Sequence, residues 1–292
     1  MSATSSNHLL VPPRPGLLAA LRSSLSRDEF FAGLYILGCA NGLGTNIIRA
    51  VNAGDWTGGI QNISAIVLFA CFAGISLLLR DKNDEVRAAD LLVAAAFLVG
   101  IAVPVSEMNW AAVTAFSFYI LLFANNGGSR RRGALILLAL TVPMLWSRLL
   151  FAFFAKILLV IDAIFVSWLL GTARIGNMIG FADGSGTLVI LPACSSLANM
   201  SLAFLCWVSV TQWVEHRSSP QDILWCCLAC GSVVAVNVAR ISLMGLSHWH
   251  YMTFHYGWGA TAANAIILLF TVGFTVLGCR RELFSRAKFS DA

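Results

Sequence analysis

A cysteine, an arginine and a group of histidines in the second half of the chain have the side chains of a thiol-based catalytic site. The cysteine, Cys194, lies in the stretch ILPACSSLANMS, behind a proline and in front of two serines. A helix is expected to begin near Leu197, with Ser195 or Ser196 as its N-cap. A thiol there lies beside unpaired backbone N–H groups and the positive end of a helix dipole, and both stabilise a thiolate. The sequence therefore predicts an activated sulfur at Cys194.

The arginine lies inside an apolar helix, in the stretch NVARISLMG. Arg240 is about four to six residues from the predicted outer end of that helix, roughly 6 to 9 Å below it at the rise of an α-helix. An arginine at such depth is costly unless it reaches the surface or faces a polar cavity, which makes Arg240 a functional candidate. Asn237 precedes it by about one turn and is expected to share its polar face.

The histidines follow that helix, in the segment SHWHYMTFHYGWG. His248, His250 and His255 are each candidates for a general base, because neutral imidazole takes up a proton near neutral pH. Imidazole and thiolate are also ligands that zinc prefers, so a zinc site formed by these histidines and Cys194 is the competing interpretation.

The composition indicates that these residues are positioned by membrane helices. Of the 292 residues 58% are hydrophobic and only 11% are charged, unlike a soluble domain. We predict an all-α polytopic membrane protein with about eight transmembrane helices. The predicted helices lie at about 30–49, 58–79, 89–106, 109–124, 197–214, 221–246 and 260–279, with one further crossing within 134–170.

The charges predict which side of the membrane each segment faces, because cytoplasmic loops carry the excess of lysine and arginine. With eight crossings the basic clusters all lie on one side, and both termini are cytoplasmic. Residues 1–29 are then a cytoplasmic tail, 30–279 a single transmembrane domain, and 280–292 a basic cytoplasmic tail. About half of 134–170 must be a tilted, re-entrant or interfacial helix for the count to hold. The clusters contain Arg14, Arg22, Arg27, Arg80, Lys82, Arg87, Arg130, Arg131, Arg132 and Arg217.

With this topology the extracytoplasmic side has one long segment, 171–196, and the histidine loop, 247–259. In the long segment two short apolar runs flank ADGSG, and Asp-Gly between strand-like runs is typical of a hairpin. The sequence therefore predicts a small extracytoplasmic β-hairpin that brings Cys194 to the membrane surface.

The order of these features resembles the exosortase/archaeosortase family of multi-pass membrane cysteine transpeptidases. The resemblance consists of a hairpin, Cys194 before a helix, NVAR with Arg240, and a histidine followed by glycines in HYGWG. It is specific over 171–262 and only compositional before that. The family often has Cys-Ser-Gly, whereas this chain has Cys194-Ser195-Ser196.

The resemblance implies a catalytic set of Cys194, Arg240 and His255. From their own positions in the sequence, Ser195, Ser196 and Asn237 are predicted to support this set. Gly257 and Gly259 permit a tight turn after His255, which favours it over the other histidines as the base. The implied substrates are exported proteins with C-terminal sorting signals of the PEP-CTERM kind. The implied reaction passes through an acyl-enzyme whose oxyanion Arg240 and the backbone N–H groups after Cys194 stabilise, without metal or cofactor.

The resemblance also implies a location and partners. The enzyme is expected in the bacterial inner membrane, with its site facing the extracytoplasmic side and an envelope lipid or polysaccharide as one class of acceptor. Membrane lipid surrounds it, and nucleic acid is not an expected partner, because the net charge of +5 comes from the cytoplasmic loops.

Two other functional classes fit part of the sequence. A membrane thiol oxidoreductase could use Cys227 and Cys230 in CCLAC, which have the spacing of a redox pair. A channel or transporter could use the ionisable groups at membrane depth, which are Arg148, Lys156, Asp162 and Arg240.

Overall fold

A computed structural model describes residues 26–52, 64–80, 84–123, 128–280 and 282. The predicted tails, apart from 26–29, 280 and 282, lie outside the described residues, as does the predicted beginning of the second helix at 58–63. The described chain is almost entirely helical, as the composition predicts. Its helices are α1 (Arg27–Asn52), α2 (Ala65–Leu78), α3 (Ala88–Ala102), α4 (Ser106–Phe123), α5 (Ser129–Thr141), α6 (Ser147–Leu170), α7 (Ser196–Trp213), α8 (Gln221–Met244), α9 (His248–His255) and α10 (Trp258–Gly278).

Among the described residues, four helical stretches are long and apolar enough to cross a membrane: Arg27–Ile48, Ser129–Leu170, Gln221–Met244 and Trp258–Gly278. Helices α2 and α3 are also apolar but have only 14 and 15 described residues. These features support the predicted all-α membrane class, because an unbroken helix satisfies its own backbone polar groups in lipid.

The core of the bundle lies between α1, α2, α4, α5 and α7. Its largest fully buried side chains include Trp110, Tyr35 and Phe116, which are packed with aliphatic residues of the neighbouring helices. Helices α2 and α5 approach each other closely, because a Cβ atom at Gly133 would lie only 2.7 Å from the carbonyl oxygen of Gly74. Small residues at such crossings are how membrane helices gain packing contacts.

One end of the bundle carries a network of ion pairs, which we call the ionic layer. It joins the beginnings of α1, α3, α5 and α8 to the segments that follow α2, α7 and α10, so these helix ends lie together. Its pairs are Arg27–Asp90, Arg80–Glu215, Arg130–Asp28, Arg130–Asp84, Arg132–Glu215, His216–Asp222 and His216–Glu282.

The pKa values in the loops of the ionic layer follow from these contacts. The hydrogen bond from Arg130 holds the pKa of Asp84 below its usual range. Burial lowers the pKa of His216, but the carboxylates of Asp222 and Glu282 outweigh burial and raise it overall. His216 therefore keeps its proton to a higher pH than a free imidazole, and its contacts link the ends of α7, α8 and α10.

The predicted single crossing at 134–170 corresponds to one interrupted helical stretch, Ser129–Leu170. Its 42 residues would span roughly 63 Å at the α-helical rise, about twice the hydrocarbon thickness. A π-helical turn at Val142–Trp146 separates α5 from α6, and Phe154 has the non-helical angles φ −120° and ψ 17°. The stretch therefore changes direction rather than running straight, as Pro143 leads one to expect.

Segment 171–196 contains a small antiparallel sheet with the strand order β1-β2-β3. Its strands are β1 (Arg174–Ile175), β2 (Met178–Gly180) and β3 (Thr187–Val189), and the residues of ADGSG lie between β2 and β3. Ile179 and Leu188 are paired across the sheet and buried against α6 and α8. The sheet is thereby fixed to the end of the bundle opposite the ionic layer.

The predicted histidine loop, 247–259, contains the short helix α9. Ser247 caps it, because its side chain accepts a hydrogen bond from the backbone N–H of His250. The turn into α10 is as tight as the glycines predict. A Cβ atom at Gly257 would lie 2.7 Å from the carbonyl oxygen of Thr253, and one at Gly259 would overlap the ring of Phe254.

Candidate functional site

Cys194 is held in a rigid junction between the sheet and α7. It ends a single 3₁₀ turn, Pro192–Cys194, and its backbone N–H donates to the carbonyl of Leu191 over 2.9 Å. The residue is buried, with 5% of its surface exposed, and it packs against apolar side chains of α6 and α8. The apolar surroundings and the short turn leave the thiol little freedom.

The structure places His255 at Cys194. The Nε2 atom of His255, the last residue of α9, lies 3.9 Å from Sγ of Cys194. Tyr251 contacts the imidazole edge to face, at 5.1 Å between ring centroids, and Tyr256 stacks on it at 4.3 Å. These rings hold the imidazole beside the sulfur, and the contact is of the kind through which a base takes a thiol proton.

The other two histidines have different contacts. Nδ1 of His250 lies 2.8 Å from the hydroxyl of Ser247, and the ring packs against Trp249. His248 stacks on Tyr251 at 6.2 Å. Within the described part of the chain, no three side chains among His, Cys, Asp and Glu lie close enough together to hold a metal ion. The predicted set of three histidines and Cys194 is therefore not assembled as a zinc site in this structure.

Asn237 binds the backbone of the cysteine from α8. Its Nδ2 donates to the carbonyl oxygen of Cys194 over 2.8 Å and to the hydroxyl of Ser196 over 3.0 Å. Its Oδ1 is buried without a hydrogen-bond partner among the described residues. The structure thus brings Asn237 and Ser196, which were predicted to support the site, into direct contact with each other and with Cys194.

Asp162 is part of this group of side chains, and the sequence did not reveal it. Its carboxylate, buried on α6, accepts hydrogen bonds from the hydroxyl and the backbone N–H of Ser196, over 2.9 and 3.2 Å. The sequence showed an acidic residue inside an apolar helix, but such a residue is also expected in a transport pathway. Because both oxygens bind the start of α7, the structure gives this charge a local role instead.

The prediction of unpaired N–H groups beside Cys194 is wrong for the three residues that follow it, because each of these N–H groups has an acceptor. The N–H of Ser195 donates to the carbonyl of Pro192 over 3.1 Å, and that of Ser196 to Asp162. The N–H of Leu197 donates to the hydroxyl of Ser195, the N-cap, over 3.4 Å. The cause is local: the 3₁₀ turn, a carboxylate and the cap each take one donor. These amides are therefore not available to an oxyanion.

Arg240 lies three residues after Asn237 on α8. Its Nε is buried and has no hydrogen-bond partner among the residues that the structure describes. In the same part of the chain, no hydrogen bond joins Arg240 to Cys194 or His255. A buried guanidinium N–H without an acceptor is unfavourable.

An open groove of about 370 Å³ runs beside the start of α7. Its walls are mostly apolar, and the exposed side chain of Arg148 adds one positive charge. Ser195, the neighbour of Cys194, is at one wall, so the groove leads to the backbone of the candidate site. The lining residues are Ser147, Arg148, Phe151, Ala152, Pro192, Ser195, Leu197 and Ala198.

The proposed redox pair lies elsewhere on α8, closer to the ionic layer. Cys227 is exposed, and the thiol of Cys230 lies 3.8 Å from the carbonyl oxygen of Met200. Both cysteines are free thiols. This region has no contact with the Cys194 group in the described structure, and a redox function finds no further support in its geometry.

Comparisons with known proteins identify no relative. No protein-family model matches the chain, and neither a curated protein nor a solved structure matches it significantly. The functional conclusion therefore depends on the geometry of the site and on the residues that carry the family resemblance.

Proposed function

We propose that this chain is a membrane-embedded cysteine peptidase or transpeptidase of the exosortase type. The observation that carries the proposal is the 3.9 Å contact between Sγ of Cys194 and Nε2 of His255. A thiol paired with an imidazole is the arrangement of a nucleophile and its base. Catalytic contacts of this kind are often long in the free enzyme and shorten when substrate binds.

The proposed reaction has two steps. His255 takes the proton of Cys194 while the sulfur attacks the carbonyl carbon of the scissile peptide bond. The C–N bond then breaks, the C-terminal segment leaves as an amine with the proton from His255, and the N-terminal part remains as a thioester on Cys194. Water, or the amine or hydroxyl group of an acceptor, attacks the thioester and frees the thiol.

Arg240 is the proposed donor to the oxyanion. The backbone N–H groups of Ser195, Ser196 and Leu197 are already engaged, whereas the buried Nε of Arg240, three residues after Asn237 on α8, has no acceptor among the described residues. A fixed positive charge at low dielectric stabilises developing negative charge more strongly than it would in water.

One prediction from this proposal concerns the shape of the Arg240 side chain. Arg240→Lys keeps the charge but removes Nε and the planar fork, so the rate of processing is expected to fall by about 10²- to 10³-fold, as on loss of an oxyanion donor. The Michaelis constant and the melting temperature are expected to change little. A control is Arg174→Lys, in which a half-buried arginine on β1 that donates to the carbonyl of Gly176 is replaced. Wild-type turnover in Arg240→Lys would contradict the oxyanion role.

We further propose that the chain crosses the membrane eight times, with the ionic layer in the cytoplasm. The proposal is supported because the basic clusters of the sequence and the ionic layer coincide, and cytoplasmic ends carry the excess of lysine and arginine. The Ser129–Leu170 stretch then counts as one crossing whose outer part lies along α8 and the sheet. Cys194 and α9 face the extracytoplasmic side.

Cysteine labelling tests this topology. In a cysteine-free background, Asp183→Cys in the exposed turn between β2 and β3 is expected to react with a membrane-impermeant maleimide in intact cells. Ser218→Cys, exposed between α7 and α8, is expected to react only after lysis. The reverse pattern, or labelling of Asp183→Cys only after lysis, would overturn the eight-crossing arrangement.

The proposed substrates are exported proteins with C-terminal sorting signals of the PEP-CTERM kind, in a bacterial inner membrane. The open groove supports this, because it is mostly apolar and would hold apolar side chains of an extended segment beside Ser195, the neighbour of Cys194. The freed carboxyl end is passed to water or to an envelope lipid or polysaccharide. No cofactor enters the proposed steps.

A processing assay tests the proposed function. The chain is expressed with a tagged exported protein that ends in a PEP-CTERM-like signal, and the size of the tagged product is followed. Loss of the signal is expected with the wild-type chain and with Cys227→Ala, which replaces an exposed cysteine outside the site. No processing of any such substrate, together with ion or solute flux through the purified protein, would favour a channel or transporter.

A further inference from the structure

Asp162 is a buried acidic residue that takes no part in the proposed reaction steps. It lies in the apolar run LLVIDAIFV of α6 with 5% of its surface exposed. An ionisable group at such a position is unfavourable unless hydrogen bonds stabilise it, so its contacts indicate why the chain retains it.

A series of hydrogen bonds links Asp162 to the backbone of Cys194. Oδ1 accepts from the hydroxyl of Ser196 over 2.9 Å, and Oδ2 accepts from the N–H of the same residue over 3.2 Å. With its proton directed to Asp162, the Ser196 hydroxyl presents its lone pairs to Nδ2 of Asn237, 3.0 Å away. The same Nδ2 donates to the carbonyl of Cys194 over 2.8 Å.

This direction of donation depends on the carboxylate. A carboxylate offers only acceptors to Ser196, which sets the hydroxyl as donor to α6 and as acceptor from α8. The Cys194 carbonyl also can only accept, so it and the Ser196 hydroxyl together hold the amide nitrogen of Asn237, and not its oxygen, towards the turn. One acidic group thus orders contacts from α6, α7 and α8 around the turn that carries the nucleophile.

We propose that Asp162 is a positioning residue, which acts through Ser196 and Asn237 to hold the Cys194 turn so that the thiol faces His255. The inference rests on the proposed function. Asp162 itself touches neither the sulfur nor the substrate, and its effect is expected on the catalytic step rather than on substrate binding.

Asp162→Asn tests the inference, because the amide has the shape of the carboxylate but presents a donor where Ser196 also donates. We expect kcat to fall by about 10- to 100-fold, as for loss of an orienting group, while KM changes less than about twofold. Ser196→Ala removes the link to Asn237 but leaves the carboxylate in place, and the same split is expected. The double variant is expected to lose little more kcat than either single variant, because both substitutions break the same series of hydrogen bonds.

The matched control is Ser201→Ala, which removes a buried hydroxyl from the next turn of α7, where it donates only to the Ala198 carbonyl. Its kcat and KM are expected to equal those of the wild type. If Asp162→Asn does not fold in the membrane, Ser196→Ala carries the test alone.

The possible outcomes distinguish failure of this inference from failure of the proposed function on which it rests. Wild-type kcat in folded Asp162→Asn or Ser196→Ala, with processing still dependent on Cys194, would overturn the positioning role and leave the peptidase intact. A rise in KM with unchanged kcat would also overturn it. Processing that persists without Cys194 would instead overturn the proposed function.

Discussion

Cys194→Ala is expected to abolish processing of C-terminal sorting signals, with a loss of about 10⁴-fold or more, because no other group supplies the nucleophile. Cys194→Ser is expected to be nearly as inactive. A hydroxyl ionises far less readily than a thiol, and His255 at 3.9 Å is not sufficient to compensate for that difference. The measurement is the fraction of tagged substrate that loses its signal in cells with equal amounts of each variant.

The control for this experiment is the replacement of another buried cysteine. Cys206→Ala removes a thiol from α7 that contacts Thr275 of α10 but not the site. It is expected to process substrate at close to the wild-type rate. Activity in Cys194→Ala at the level of this control would exclude Cys194 as the nucleophile.

His255→Ala is expected to reduce formation of the acyl-enzyme by about 10²- to 10⁴-fold, the usual contribution of a positioned general base. His248→Ala and His250→Ala are expected to retain most activity, because their rings contact Tyr251 and Ser247 rather than the sulfur. The three variants are compared by the rate at which the cleaved amine appears.

Two results would contradict this assignment of the base. One is full activity in His255→Ala. The other is stoichiometric zinc in the purified protein that a strong chelator removes together with activity, since that would make the histidines ligands rather than a base. Elemental analysis measures the zinc content, and an assay in the chelator measures the activity of the same preparation.

The sequence predicted those parts of the molecule that depend on local pattern. The apolar windows gave the class of the fold and most helices to within a few residues, because membrane helices require long apolar runs. The start of α7 was predicted because serine is a preferred N-cap residue, and Ser195 has that position in the structure. The close turn after His255 followed from Gly257, whose missing Cβ leaves room for the backbone of Thr253.

The parts that the sequence did not predict depend on contacts between distant segments. Asp162 precedes Ser196 by 34 residues, and no local pattern shows that α6 would bring its carboxylate to the start of α7. For the same reason the amides after Cys194 looked unpaired, although the tertiary structure supplies an acceptor for one of them. Pro143 indicates an interruption of the helix here, but it does not indicate that the interruption is a π-helical turn at Val142–Trp146.

The central claim, a thioester on Cys194, is tested most directly by acid quenching of the purified enzyme during turnover of a sorting-signal substrate, followed by mass spectrometry. The account predicts that the peptide containing Cys194 gains the mass of the N-terminal part of the substrate, and that hydroxylamine removes it. The adduct is expected to be absent in Cys194→Ala and strongly reduced in His255→Ala. Substrate cleavage at the wild-type rate with no adduct on Cys194 at any quench time would contradict the account.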